Sequence, residues 1–160
     1  MTEDFSLQEL SRLRADFPIL GRVGRGGKPI AYLDFSATSQ KPVQVIDAIS
    51  NFYRTSNGAV HRGTHLLGDE STAAFEEGRS ILADFIGGRA NEIVWTKNAT
   101  EAINLVALAM RNASQDSSAK PSPVKLSAGD NIVITRAEHH ANLVPWQQLC
   151  AATGTELRWL

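Results

Sequence analysis

An apolar strand that runs straight into a polar loop and then into a helix leaves a chain few folds to choose from, and residues 131 to 146 read NIVITRAEHHANLVPW. Asn131 to Thr135 is the β-branched run of a strand buried on both faces, and Asn142 to Cys150 spaces Leu143, Val144, Trp146 and Leu149 as a helix does. Glu138, His139 and His140 therefore fall at the carboxyl end of a strand, where open α/β sheets hold their ligands. Two other readings stay open on these residues alone. The histidines can cap the following helix or face water. With a carboxylate they can also ligate a metal, and His61 and His65 stand four apart elsewhere. The zinc-hydrolase pattern, however, needs Glu straight after the first His, and Arg62 occupies that position.

The same alternation runs through the chain. Ser6 as N-cap and Leu7, Leu10 and Leu13 predict a short amphipathic helix over residues 6–14. Gly21 to Lys28, GRVGRGGK, fits neither phosphate-loop fingerprint and reads as a flexible turn. Ile30 to Leu33 reads as a brief strand. Pro42 suits the first turn of a helix, and the stripe of Val45, Ile46, Ile49, Phe52 and Tyr53 predicts that helix to end near Ser56-Asn57-Gly58. The loop AVHRGTH (59–65) is followed by a longer helix from about Asp69 to Ile86, closed by Gly87-Gly88. Glu92 to Thr96 reads as a strand, and Ala102 to Met110 as a helix apolar nearly all round, hence buried. Residues 112–127, rich in serine, read as a surface insertion. Gly154 then ends the helix that follows the histidine loop, and Glu156 to Leu160 begins another strand. The order of elements implies α/β architecture, a mainly parallel sheet with flanking helices. Leu157, Trp159 and Leu160 end with no helix to cover them, so the expectation is a sheet incomplete at its C-terminus and a chain that is the N-terminal portion of a larger protein.

Composition narrows the partners. The 160 residues are 42% hydrophobic and 21% charged, ordinary for a globular domain. Sixteen basic and seventeen acidic residues leave a formal net charge of -1, which implies neither a nucleic acid nor a membrane surface as partner. Cys150 is the single cysteine, so there is no internal disulfide, and its apolar helix position reads as a buried hydrophobe. With no membrane-length apolar run and an acidic N-terminus, the expected location is the cytoplasm.

Asn98, Ala99 and Thr100 form a second turn of interest. They follow one predicted strand and open the apolar helix, so free backbone N–H groups, the helix dipole and the Thr100 hydroxyl are placed to hold a phosphate. A phosphate at one strand end and the His139 imidazole at the next suit a flat phosphorylated cofactor such as pyridoxal phosphate.

The segments RADFPIL (14–20), AYLDFSATSQKP (31–42), AVHRGTH (59–65), NATEAINLVA (98–107), AGDNIVIT (128–135) and EHHANLVPWQQLC (138–150) resemble, in order and at similar spacing, the N-terminal part of a SUF-type cysteine desulfurase. That family belongs to the class V aminotransferase-like enzymes of pyridoxal-phosphate fold type I. The resemblance implies that Ala99 and Thr100 bind the cofactor phosphate. It also implies that His139 stacks on the pyridine ring and assists proton transfer, that His61 lies near the substrate L-cysteine, and that Ser36 and Ala37 border it. His140 and Asn142 match the motif as scaffolding. Phe35 stands where the family has a small polar residue.

By the same resemblance, residues 1–29 are an N-terminal arm and residues 30–160 the N-terminal part of the pyridoxal-phosphate-binding domain, with the insertion at 112–127. The implied reaction converts L-cysteine to L-alanine and leaves a persulfide, whose sulfur passes to an acceptor protein of the SUF system for iron–sulfur cluster assembly. The full-length protein is expected to be a homodimer. The family's cofactor-bearing lysine and nucleophilic cysteine have no counterpart among Lys97, Lys120, Lys125 and Cys150, so the 160 residues alone are expected to be inactive. A selenocysteine lyase or another class V relative is the alternative enzyme, and a non-catalytic phosphate- or cofactor-binding module the alternative of another class.

Overall fold

The computed structural model describes residues 5–116, 118, 122 and 124–160, which divide into two compact units, Met1–Ile93 and Val94–Leu160. The expectation at Lys120 lies outside the described residues.

The first unit is helical. Helix α1 (Leu7–Ala15) starts on a capping box: Ser6 Oγ accepts from the Glu9 N–H at 3.3 Å, and the Glu9 carboxylate accepts from the Ser6 N–H at 2.8 Å. From its last turn the Arg14 guanidinium donates to the carbonyls of Leu20 at 2.9 Å and Ile30 at 2.8 Å. The glycine-rich stretch is a tight turn, with Val23 bridged antiparallel to Pro29 and the Gly24 N–H bonded to the Lys28 carbonyl at 2.8 Å. Helix α2 (Val43–Thr55) starts one residue later than expected, with Pro42 in extended conformation as its N-cap rather than in its first turn.

Helix α3 (Leu66–Ile86) begins three residues before the predicted start at Asp69. The reason is His65, whose Nδ1 accepts from the Gly68 N–H at 3.3 Å and caps the first turn. The loop before it folds back onto that turn. Buried Ser71 accepts from the Gly58 N–H at 2.8 Å and donates to the Ser56 carbonyl. Gly63 and Gly68 meet so closely that a Cβ on Gly68 would stand 2.7 Å from the Gly63 Cα.

Two predicted strands are absent among the described residues: neither 30–33 nor 92–96 joins a ladder. Competing hydrogen bonds account for part of this. Ile30 gives its carbonyl to Arg14, and Ile93 gives its carbonyl to Arg79 Nη1.

The second unit carries the sheet. Helix α4 (Ala99–Gln115) is followed by strand β1 (Asn131–Ile134), helix α5 (Val144–Thr153) and strand β2 (Glu156–Trp159). The strands pair parallel, Asn131 opposite Glu156 and Ile134 opposite Trp159. Backbone bonds extend the ladder at both ends, from Glu156 N–H to the Asp130 carbonyl at 3.0 Å and from Leu160 N–H to the Ile134 carbonyl at 2.9 Å. Helix α5 is the crossover that a parallel pair requires, and Gly154, at φ 74°, reverses the chain out of it. Ile134, Leu149, Cys150 and, from α4, Ala107 form the core. The α/β class is thus borne out, with helices flanking a small parallel sheet. Helix α4 differs from expectation, because it packs on α5 along one side while Leu105, Val106 and Leu108 remain exposed. It also runs to Gln115, past the predicted start of the insertion at 112.

The Gly63–Gly68 approach is directly testable. Gly68→Ala forces a Cβ into the facing backbone, and overpacking of this kind costs about 1–3 kcal/mol. The expected result is a lower thermal midpoint, measured by circular dichroism, and an unchanged midpoint would refute the close approach.

Candidate functional site

Strand β1 delivers its carboxyl end into a loop that ties itself down through side chains. Glu138 is the hub: it accepts from Thr135 Oγ1 at 2.9 Å and from Asn142 Nδ2 at 2.8 Å. Asn142 Oδ1 in turn accepts from the Trp146 indole N–H at 2.8 Å, which fastens the loop to the first turn of α5. These bonds, Asn142 first and Thr135 next, hold the Glu138 carboxyl below its ordinary value of 4.5.

His139 precedes a single 3₁₀ turn, His140–Asn142, that packs on both α4 and α5. Its Nδ1 accepts from the Ala141 N–H at 3.1 Å, so the neutral ring carries its proton on Nε2. The ring is exposed, and His140 stands edge-on to it at 6.4 Å.

The start of α4 supplies the second element of this unit. Asn98 caps the helix, its Oδ1 accepting from the Glu101 N–H at 2.9 Å, while the Glu101 carboxylate accepts from the Lys97 N–H at 2.6 Å. That bracket uses Asn98 and Glu101 and leaves the residues between them. The N–H groups of Ala99 and Thr100 open the helix and have no carbonyl one turn back within it. Among the described residues the exposed Thr100 hydroxyl has no partner either. Two amides at the positive end of a 17-residue helix and a hydroxyl beside them form a donor set for an anionic oxygen group, which fits a phosphate.

The remaining predicted residues lie in the first unit. Ser36 and Ala37 sit in a turn after Asp34, whose carbonyl accepts from the N–H groups of Ala37 and Thr38, both at 3.3 Å. The Tyr32 hydroxyl reaches the carbonyls of Asp34 at 2.9 Å and Thr38 at 2.7 Å. Phe35 packs edge-on against Tyr32 at 5.0 Å, so its aromatic ring has a partner within the turn. Among the described residues His61 is the one non-glycine residue with positive φ, at 59°. Its N–H donates to Thr72 Oγ1 at 3.0 Å, and its Nε2 lies 2.9 Å from Glu76 Oε1.

The expectations in the sequence did not include Glu76 and Thr72. They stand one turn apart on α3, a spacing that puts them on one face, but nothing in the residues themselves says that His61 folds onto that face. Among the described residues, no three His, Cys, Asp or Glu side chains gather as a metal site would require. No helix among them is long and apolar enough to cross a membrane.

Residues 31–160 match the aminotransferase class-V family model. The chain belongs to this family. Among individual class V relatives, the chain is 52% identical over 159 residues to the probable cysteine desulfurase 2 of Mycobacterium leprae, covering 99% of this chain and 37% of that protein. It is 49% identical over 150 residues to a cysteine desulfurase of Klebsiella pneumoniae, covering 93% and 34%. The apo structure of a cysteine desulfurase from Thermococcus onnurineus superposes with a TM-score of 0.76 at 37% identity, covering 94% of this chain and 33% of that one. The chain spans about a third of the length of each of these relatives.

The Glu138 hub sets a pH dependence within the class V loop. A carboxyl whose value is lowered on folding contributes stability above its unfolded value near 4.5, and this contribution is lost as pH falls through the lower folded value. The Trp146 indole N–H, two hydrogen bonds away, reports it. Its exchange with solvent is expected to accelerate as the pH drops below about 4.5, and this step is expected to be missing in Glu138→Gln. An identical acid transition in the variant would remove Glu138 from the hub.

Proposed function

We propose that the whole protein is a pyridoxal-phosphate-dependent cysteine desulfurase, which converts L-cysteine to L-alanine and leaves the sulfur as a persulfide on an enzyme cysteine. The observation that carries this reading is the likeness along nearly the whole chain to proteins named cysteine desulfurase. The donor set at the start of α4 supports it.

In this reading the Ala99 and Thr100 amides and the Thr100 hydroxyl hold the cofactor phosphate. His139 covers the pyridine ring and handles a proton at Nε2, the nitrogen that the Ala141 bond leaves available. When bound, pyridoxal phosphate supplies an electron sink conjugated to the substrate's amino carbon. His61, Ser36 and Ala37 meet the L-cysteine substrate. The arm at 1–29, the cofactor-binding domain from 30 and the insertion at 112–127 belong to the same proposal. So do a cytoplasmic homodimer and a SUF-system acceptor that takes the sulfur for iron–sulfur cluster assembly.

Residues 1–160 are proposed to be inactive alone. Cys150 is buried in α5, Lys97 is paired with Glu101, and Lys125 donates to the Asp116 carbonyl. Cys150→Ala in the full-length enzyme is accordingly expected to keep persulfide formation within a few-fold, and loss of that step with the fold intact would overturn this role for Cys150.

The phosphate and ring contacts predict different defects. Thr100→Ala in the full-length enzyme deletes a hydrogen bond to a charged group worth about 1.5–3 kcal/mol, so cofactor retention should weaken roughly 10- to 100-fold. His139→Ala should retain much of the cofactor, shift its absorption and slow turnover about 10²-fold. Equilibrium dialysis, visible spectra and alanine production separate these outcomes. An unaltered spectrum in His139→Ala would defeat the assignment of the ring contact.

A further inference from the structure

His61 holds a backbone conformation that side chains avoid, and such outliers persist where surrounding structure fixes them. The fixing structure is one face of α3. Thr72 Oγ1 accepts the His61 N–H at 3.0 Å while donating its own proton to the Gly68 carbonyl at 2.7 Å, so its lone pair is directed at His61. One turn on, Glu76 Oε1 lies 2.9 Å from His61 Nε2, and between them the Phe75 ring meets the imidazole edge-on at 6.0 Å. Glu76 is itself fixed, because Arg79 Nε donates to its other oxygen at 2.9 Å and Arg79 lies over the Phe75 ring at 5.1 Å. Backbone, ring edge and ring nitrogen of one histidine are thus held by residues 72, 75 and 76. A bond to a carboxylate at Nε2 places the neutral ring's proton there and leaves Nδ1 with its lone pair. Among the described residues Nδ1 has no partner.

We propose that Glu76 is a positioning residue for His61: through Nε2 it fixes the imidazole so that Nδ1 is presented to the substrate. This rests on the reading above that His61 meets the L-cysteine. The chemistry suits a thiol or ammonium proton, which an imidazole nitrogen with a free lone pair accepts as a hydrogen bond. Arg79 keeps the Glu76 carboxylate charged and aimed. Its bond is the largest cause holding that carboxyl below its ordinary value, with the His61 bond a smaller one.

The test uses the full-length holoenzyme with Glu76→Ala, Glu76→Gln, His61→Ala and the double variant Glu76→Ala/His61→Ala. Glu76→Ala is expected to lower kcat/KM for L-cysteine about tenfold, the scale of one charge-assisted hydrogen bond, with cofactor content unchanged. Glu76→Gln, which keeps an acceptor oxygen, should recover most of the loss. In the His61→Ala background, Glu76→Ala should add nothing. In protein labelled with ¹⁵N-histidine, His61 Nε2 should lose its hydrogen-bonded resonance in Glu76→Ala and keep it in Glu76→Gln. A damaged His61→Ala beside an unaffected Glu76→Ala, or losses that add fully in the double variant, would overturn the positioning role while sparing the role of His61. An undamaged His61→Ala would overturn both.

Discussion

The parallel pairing of Asn131–Ile134 with Glu156–Trp159 is the constraint on which the second unit depends. Two parallel neighbours cannot be joined by a tight turn, so the chain between them must cross over as a helix. With ten residues in α5, the segment from Thr135 to Leu143 is left to turn the chain from strand end to helix start. A two-stranded ladder is weak by itself. What holds it is burial of Ile134 from the strand against Leu149 and Cys150 from the crossover. The histidine loop is therefore placed by the same contacts that close the βαβ unit. Its internal order comes from one carboxylate, Glu138, bonded to Thr135, the first residue after the strand, and to Asn142, where the 3₁₀ turn ends.

The first unit solves its backbone accounting by another route. With no ladder among its described residues beyond an isolated bridge, its irregular segments leave carbonyls to be satisfied, and arginines satisfy several of them. Arg14 gathers Leu20 and Ile30 onto α1, and Arg79 gathers Ile93 onto α3. A guanidinium carries five donors in a rigid fork, so one side chain can serve a helix partner and a distant carbonyl together. Arg79 does so, with Glu76 one turn behind it and Ile93 beyond the helix.

These arrangements explain which parts of the fold and site could be read in the residues. Helix periodicity and caps are local, so α1, α2 and α5 stood out, as did β1 with its β-branched run and β2. The start of α3 was displaced because its cap is a histidine, a residue outside the usual N-cap set. The strands expected at 30–33 and 92–96 had suitable composition, but a strand is a property of a pair, and no local pattern reveals whether a partner is present. At the site, the positions of Ala99, Thr100 and His139 followed from where a strand or helix begins and ends. The residues that hold His61 did not, because they come from a helix surface that folds back on the loop, with the partners 11 and 15 positions away in the chain.

The two imidazoles are fixed by opposite kinds of partner. His139 receives a backbone N–H at Nδ1, a bond that exists only while that nitrogen keeps its lone pair. His61 faces a carboxylate at Nε2, a bond that survives whether the ring is neutral or protonated. The available nitrogens are therefore different as well, Nε2 in the first case and Nδ1 in the second. The two rings thus take their orientation through different nitrogens, one by accepting from the backbone and the other against a carboxylate. The difference arises from whether the loop turns its own amide or a neighbouring helix turns its carboxylate toward the ring.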